Sequence, residues 1–129
     1  MREVEVSRFV QAGSAIVDRA LTPTRLLEAE GSFTVRDVSD DGRRITVGGY
    51  GLELVFVFAD LENGIEYVQV EGPLETLRTT VTHEPEDEGS RITARSAVAL
   101  GGPGFLDRAA AWKRKGELRR ALEGIEEAC

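Results

Sequence analysis

From Gly31 to Leu100 the sequence reads as strand after hairpin turn, some 70 residues of it, and only the last quarter can cover the sheet these would make. Gly101-Gly102-Pro103-Gly104 ends the strand run, because Gly tolerates bends and Pro offers no ladder donor. Gly104 to Cys129 then reads as one long helix. Phe105, Leu106, Ala109, Ala110 and Trp112 fall on neighbouring helical rows, and Leu118, Ala121, Leu122, Ile125 and Cys129 form a second apolar stripe. At about 100° per residue the two stripes are offset by roughly 150° around the axis. Gly116 lies between them, and a mid-helix Gly costs about 1 kcal/mol against Ala. The spacing therefore predicts a helix that bends or changes partner near Gly116.

Ahead of the sheet, Val4, Val6 and Val10 alternate with Glu3, Glu5 and Ser7 as in a half-buried strand. Phe9 breaks the parity and predicts a bulge or an end contact. Ser14 is a candidate N-cap for a short helix carrying Ile16, Val17, Ala20 and Leu21. Thr22-Pro23 starts another, with Thr as N-cap, Pro at the first helical position, and then Leu26 and Leu27. The strands that follow are Ser32 to Ser39, Arg43 to Gly49, Leu52 to Ala59, Ile65 to Glu71, Leu74 to His83 and Arg91 to Leu100. They are divided by Ser39-Asp40-Asp41-Gly42, Gly49-Tyr50-Gly51, Glu62-Asn63-Gly64, Gly72-Pro73 and the acidic turn Glu84 to Gly89. Leu52 to Ala59 is apolar on both faces, as in a central strand. The chain is one α+β domain, residues 1–129, with about seven strands, two short helices after the first strand, and a long C-terminal helix packed across the sheet.

Charge and composition bound the partners. The net charge is −7, from 23 acidic and 16 basic residues, and Lys113 and Lys115 are the only lysines. Such a balance suits a salt-adapted protein or a GC-rich genome, and argues against nucleic acid or an anionic membrane as partner. Cys129 is the only cysteine, so neither a disulfide framework nor a thiolate metal site is expected. No apolar run reaches transmembrane length and Met1-Arg2-Glu3 does not open a signal peptide, so a cytoplasmic protein without stable membrane insertion is expected.

No catalytic constellation stands out. His83 is the one histidine and reads as a solvated strand-end residue; no Gly-x-Ser-x-Gly elbow exists to present a serine. Gly48-Gly49-Tyr50-Gly51 precedes a strand rather than a helix, so it reads as a turn and not a phosphate cradle. The run Glu84 to Glu88 lacks the spacing of a calcium loop. Lys113, Arg114, Lys115, Arg119 and Arg120 offset the helix dipole and pair with Glu117, Glu123, Glu126 and Glu127, or else dock an acidic partner. No catalytic residue, metal or cofactor is assigned.

The order of elements resembles the START-like superfamily, in particular its polyketide cyclase/dehydrase and lipid-transport (SRPBCC) members. The resemblance rests on Ala12-Gly13-Ser14-Ala15-Ile16-Val17, on Glu28 to Val35, and on the paired Gly-bounded strands Val47 to Phe58. It rests also on Gly102-Pro103-Gly104-Phe105 with Glu117-Leu118-Arg119-Arg120-Ala121-Leu122. It implies a helix-grip fold, a curved antiparallel sheet around the C-terminal helix with an apolar cavity between them. Members bind lipids, sterols, polyketides, quinones or hormones, and a minority are cyclases or hydrolases whose catalytic residues do not carry over. The candidate cavity residues are Leu54, Phe56, Phe58, Val68, Val70, Ile92, Val98, Phe105, Ala109 and Trp112. Tyr50, Tyr67, Arg78 and Ser96 are candidates to orient a ligand. Three functions follow as expectations: a carrier of a small hydrophobic molecule, a cyclase/dehydratase-type enzyme, or a pocketless interaction scaffold with the sheet filled solid.

Overall fold

Turn chemistry and period-two alternation build the sheet, and the computed structural model describes residues 1–129. Its strands are β1 (Arg2–Val10), β2 (Thr34–Val38), β3 (Arg44–Gly49), β4 (Leu52–Leu61), β5 (Gly64–Glu71), β6 (Thr76–Glu86) and β7 (Gly89–Ala99). They form one antiparallel sheet in the order β1-β7-β6-β5-β4-β3-β2. After β1 the chain crosses to the far edge through α1 (Ser14–Ala20) and α2 (Pro23–Glu30), then returns hairpin by hairpin until β7 lies beside β1. The last helix, α3 (Gly104–Ala128), lies across the concave face. At the β3–β4 turn Tyr50 and Gly51 have φ of 54° and 74°, the pair of left-handed residues that matches the twist of a two-residue hairpin.

Several local expectations change. The register of β1 on β7 is unbroken from Arg2 opposite Val98 to Val10 opposite Ser90, so Phe9 marks no bulge. Arg8 takes the inward position and reaches Glu126 of α3 at 2.8 Å, while Phe9 lies outward under Arg91. The register shifts fall instead between β2 and β3, where Arg36 is the extra residue, and between β4 and β5, where Val55 faces Glu71 and Phe56 faces Gln69, leaving Val70 of β5 as the extra residue. The acidic stretch Glu84 to Gly89 is mostly strand, with a turn only at Asp87-Glu88. Pro85 is tolerated there because β5 pairs with β6 no further than Thr82, leaving Pro85 a neighbour on one side alone. Gly13, not Ser14, caps α1, without a side-chain bond. Thr22 does cap α2, accepting from the Arg25 amide, with Pro23 in the first turn.

The main correction concerns α3. It runs past Gly116 as one helix and buries one continuous stripe, Ala111, Arg114, Glu117, Leu118, Ala121, Leu122 and Ile125. A purely apolar reading breaks this stripe in two because its middle is charged. Leu118, Leu122 and Ile125 are fully enclosed, each burial being worth about 1.5–3 kcal/mol. The α2–α3 crossing is close: a Cβ on Gly124 would lie 2.6 Å from that of Ala29. This approach brings the end of α2, and with it Glu30, against the middle of α3.

Candidate functional site

The two halves of α3 meet the sheet differently. Its second half fills the space with Leu118, Leu122 and Ile125. Between Asp107 and Arg114 its first half turns only Ala110 and Ala111 inward, and small side chains leave a gap. The gap is a cavity of about 350 Å³. Val47, Leu54 and Phe56 line it from β3 and β4, and Leu77 and Val98 from β6 and β7. Leu27 and Phe33 close one end, Leu74 and Pro73 another, and Leu100, Ala109 and Ala110 complete the wall beside α3. Eleven of the 17 lining residues are hydrophobic, and the polar ones, Glu30, Ser32, Lys113, Arg114 and Glu117, are gathered rather than scattered.

Arg114 organises that polar end. It is 4% exposed, and each of its five N–H donors has an acceptor. Nη1 donates to Glu30 Oε1 at 2.6 Å and Glu117 Oε1 at 3.2 Å. Nη2 donates to Thr79 Oγ1 at 2.7 Å and to the Tyr67 hydroxyl. Nε donates to Ser96 Oγ at 3.0 Å. The Tyr67 hydroxyl donates to Glu30 Oε2, and Thr79 Oγ1 and Ser96 Oγ are 2.9 Å apart. The group therefore ties α2, α3, β5, β6 and β7 together around one guanidinium.

On its outer side the Glu117 carboxylate faces the rim. Ser32 donates to Glu117 Oε2, and Lys113 Nζ lies 2.9 Å from Glu117 Oε2 and 3.0 Å from Ser32 Oγ. Burial alone would raise the Glu117 carboxyl, but Arg114, Ser32 and Lys113 outweigh it and hold it below the usual range. Burial likewise opposes the charge on Arg114, and Glu30, Tyr67 and Glu117 more than offset this, so the guanidinium is held well above its ordinary value. Burial drives the Tyr67 phenol far upward, so it remains a hydroxyl. Two carboxylates thus face two cations, and the cavity end is polar without a net charge.

Of the residues expected from the sequence, Leu54, Phe56, Val98 and Ala109 lie in the cavity wall. Tyr67 and Ser96 lie just behind it, as partners of Arg114. Phe58 and Ile92 are core residues outside the wall. The other assignments are corrected. Ile65 and Tyr67 carry the inner face of β5, so Val68 and Val70 point the opposite way, Val70 with 47% exposure. Phe105 and Trp112 stand on the outer side of α3, and Tyr50 sits at a hairpin tip. Arg78 is on the outer sheet face, paired with Glu66 at 2.9 Å. His83 is also not solvated: it is 7% exposed, with Nε2 2.9 Å from Asp18 Oδ1 and Nδ1 without a partner. No three His, Cys, Asp or Glu side chains converge where a metal ion could sit.

Sequence reading missed Glu30, Arg114 and Glu117 as a site. A signal existed: extending the stripe Leu118, Ala121, Leu122 backward by three and four residues passes through Glu117, Arg114 and Ala111, not Trp112. A long charged side chain on that stripe must either leave or find partners, and only the folded chain supplies them.

The sequence matches no protein-family model and no curated protein. Solved structures do match. A START superfamily protein from Mycobacterium smegmatis superimposes with a TM-score of 0.73 at 16% identity, over 97% of each chain. The protein TTHA0849 from Thermus thermophilus gives 0.79 at 21%, over 98% of this chain and 96% of that one. A truncated norcoclaurine synthase from Thalictrum flavum gives 0.74 at 14%, over 98% and 91%. Seven antiparallel strands in this order, two short helices in the β1–β2 crossover and a long helix held in the curve of the sheet give the chain the START-like, SRPBCC-type helix-grip fold.

Proposed function

We propose that the chain binds a small, compact hydrophobic molecule bearing one polar group, held in the cavity between α3 and the sheet. The observation that carries this is the division of the cavity wall, hydrophobic for 11 of 17 residues with its polar members gathered at one end. An apolar enclosure supplies affinity and a few placed polar groups supply orientation. A volume of about 350 Å³ is near the lower end of small-molecule sites (~300–1,000 Å³), which favours a compact ring system or a single short acyl chain over a two-chain lipid. Lys113 and Ser32, which bond each other and Glu117 at the rim, are the groups that can exchange a partner for a ligand, since the five donors of Arg114 are held in the buried network. The open space speaks against the alternative of a sheet filled solid. A catalytic reading is favoured by one observation: Glu117, held ionised, and Lys113 share the wall with the apolar pocket, so the pair could move a proton on a bound molecule.

Binding is tested by titrating an environment-sensitive probe, 1-anilinonaphthalene-8-sulfonate, into the wild type and Ala110→Phe. One saturable site per chain, weakened about tenfold or more by the added ring, is the expected result. Unaltered binding by a folded Ala110→Phe would place the probe elsewhere and end this reading. Mass spectrometry of organic extracts from protein purified gently from its own host identifies the ligand. Turnover of that compound, lost in Lys113→Met, separates the catalytic reading from simple carriage.

A further inference from the structure

A helix covering a sheet needs one apolar face, and α3 has two. Opposite the stripe it buries, Phe105, Ala109, Trp112 and Gly116 recur at spacings of three and four. Phe105 is 59% exposed and Trp112 82%. Arg108, Lys115 and Arg119 flank this outer stripe on one side, Lys113 and Arg120 on the other, and all five are exposed. The two carboxylates of the same stretch face elsewhere: Asp107 is paired with the amino terminus and Glu117 is buried. Exposed acid on α3 begins only at Glu123. A chain of net charge −7 thus carries one face that is aromatic along its middle and basic along both edges.

We infer that the outer face of α3, from Phe105 to Arg120, docks the protein on the surface of an anionic lipid bilayer. Aromatic rings at the acyl boundary, with long basic side chains reaching back to the phosphates, are what holds an amphipathic helix in the plane of a membrane. The charge pattern chooses this occupant over a second copy of the chain, since Lys113 is paired with Glu117 but a symmetric pairing would still set the four cations Arg108, Lys115, Arg119 and Arg120 against the same four. Net charge argues against an anionic surface only while the acid is evenly spread, and here it is excluded from this face. Ala109 and Lys113 belong to the docking face and to the cavity wall together, with exposed Leu100 and Pro73 beside them. Docking therefore sets the cavity rim at the lipid surface, where a hydrophobic ligand can enter without crossing bulk water. That last step rests on the ligand-binding reading; the docking does not.

Trp112 is the only tryptophan, so its fluorescence reports from the proposed contact. The full chain is titrated with vesicles of phosphatidylcholine alone and of phosphatidylcholine mixed with phosphatidylglycerol, with and without brominated acyl chains. A blue shift and bromine quenching with the anionic vesicles only, weakened by added salt, are expected. Arg108→Glu with Lys115→Glu, both exposed, should raise the lipid needed for half-binding by more than about tenfold while leaving far-UV circular dichroism and probe binding in the cavity unchanged. Equal response to both vesicle types, no response to either, or undiminished binding by the folded double variant would overturn the inference. So would a Trp112 shift that follows protein concentration and dimer formation in sedimentation equilibrium, or one produced by single-stranded DNA and not by vesicles. Vesicle binding in a protein that fails to bind the cavity probe would leave the docking standing and remove only the ligand-binding reading.

Discussion

Replacing Arg114 by methionine, close in length and without charge, leaves Glu30 and Glu117 buried with one fewer cation and strips Tyr67, Thr79 and Ser96 of their donor. Removing one partner from a buried ion pair costs about 3–5 kcal/mol, chiefly because the remaining charge is uncompensated. That is a large share of a total stability of roughly 5–15 kcal/mol. In urea, with a slope near 2 kcal/mol per molar, the unfolding midpoint should fall by about 2 M. Adding Glu30→Gln should recover part of the loss, because one of the stranded charges is gone. The pH dependence supplies an independent check. In the wild type Glu117 is held below the 4.5 of a free glutamate, so its stabilising contribution is fully present above that pH and is lost as pH falls through the lower folded value. In Arg114→Met the burial remains and the strongest opposing charge is absent, so the folded value rises and the penalty relaxes as the solution is acidified. The stability gap between the two proteins should therefore narrow from pH 7 toward pH 4.5. A loss below about 1 kcal/mol, a double variant no more stable than the single, or a gap that widens in acid would refute the account of Arg114 as a satisfied buried charge.

Tyr67→Phe removes one hydroxyl that both accepts from Arg114 and donates to Glu30, and should cost about 1–3 kcal/mol by calorimetry, its ring packing on Phe56 and Phe58 being retained. Gly124→Ala should lower the melting temperature although Ala is the better helix former by about 1 kcal/mol, since its Cβ would stand 2.6 Å from that of Ala29; Ala29→Gly in the same chain should restore it. His83→Leu loses one bond to the largely exposed Asp18 and removes a buried nitrogen without a partner, so its urea midpoint should stay within about 1 kcal/mol of wild type, whereas a severe loss would assign His83 a role the structure does not display.

The strands were legible because alternation and turn residues are local signals. Asp40-Asp41-Gly42 and Asn63-Gly64 mark hairpins whatever surrounds them, and Thr22-Pro23 opens a helix by its own chemistry. Facing was less legible. Val68 and Val70 look like an inner pair from β5 alone, but Tyr67, with its hydroxyl paired to Glu30 and Arg114, takes the interior. A one-residue choice of face inverts every assignment on a strand.

Pattern alone determined the order of elements, one antiparallel sheet with a single long helix to cover it, and an acidic chain with little catalytic vocabulary. Tertiary structure decided which side of α3 is the inside. Arg114 and Glu117 read as surface charges in one dimension, because burying an ion is costly until its partners are named. Those partners come from positions 30, 67, 79 and 96, far apart along the chain. Once they claim the inner face, Trp112 and Phe105 turn outward to water and the alanines before Arg114 leave the cavity open.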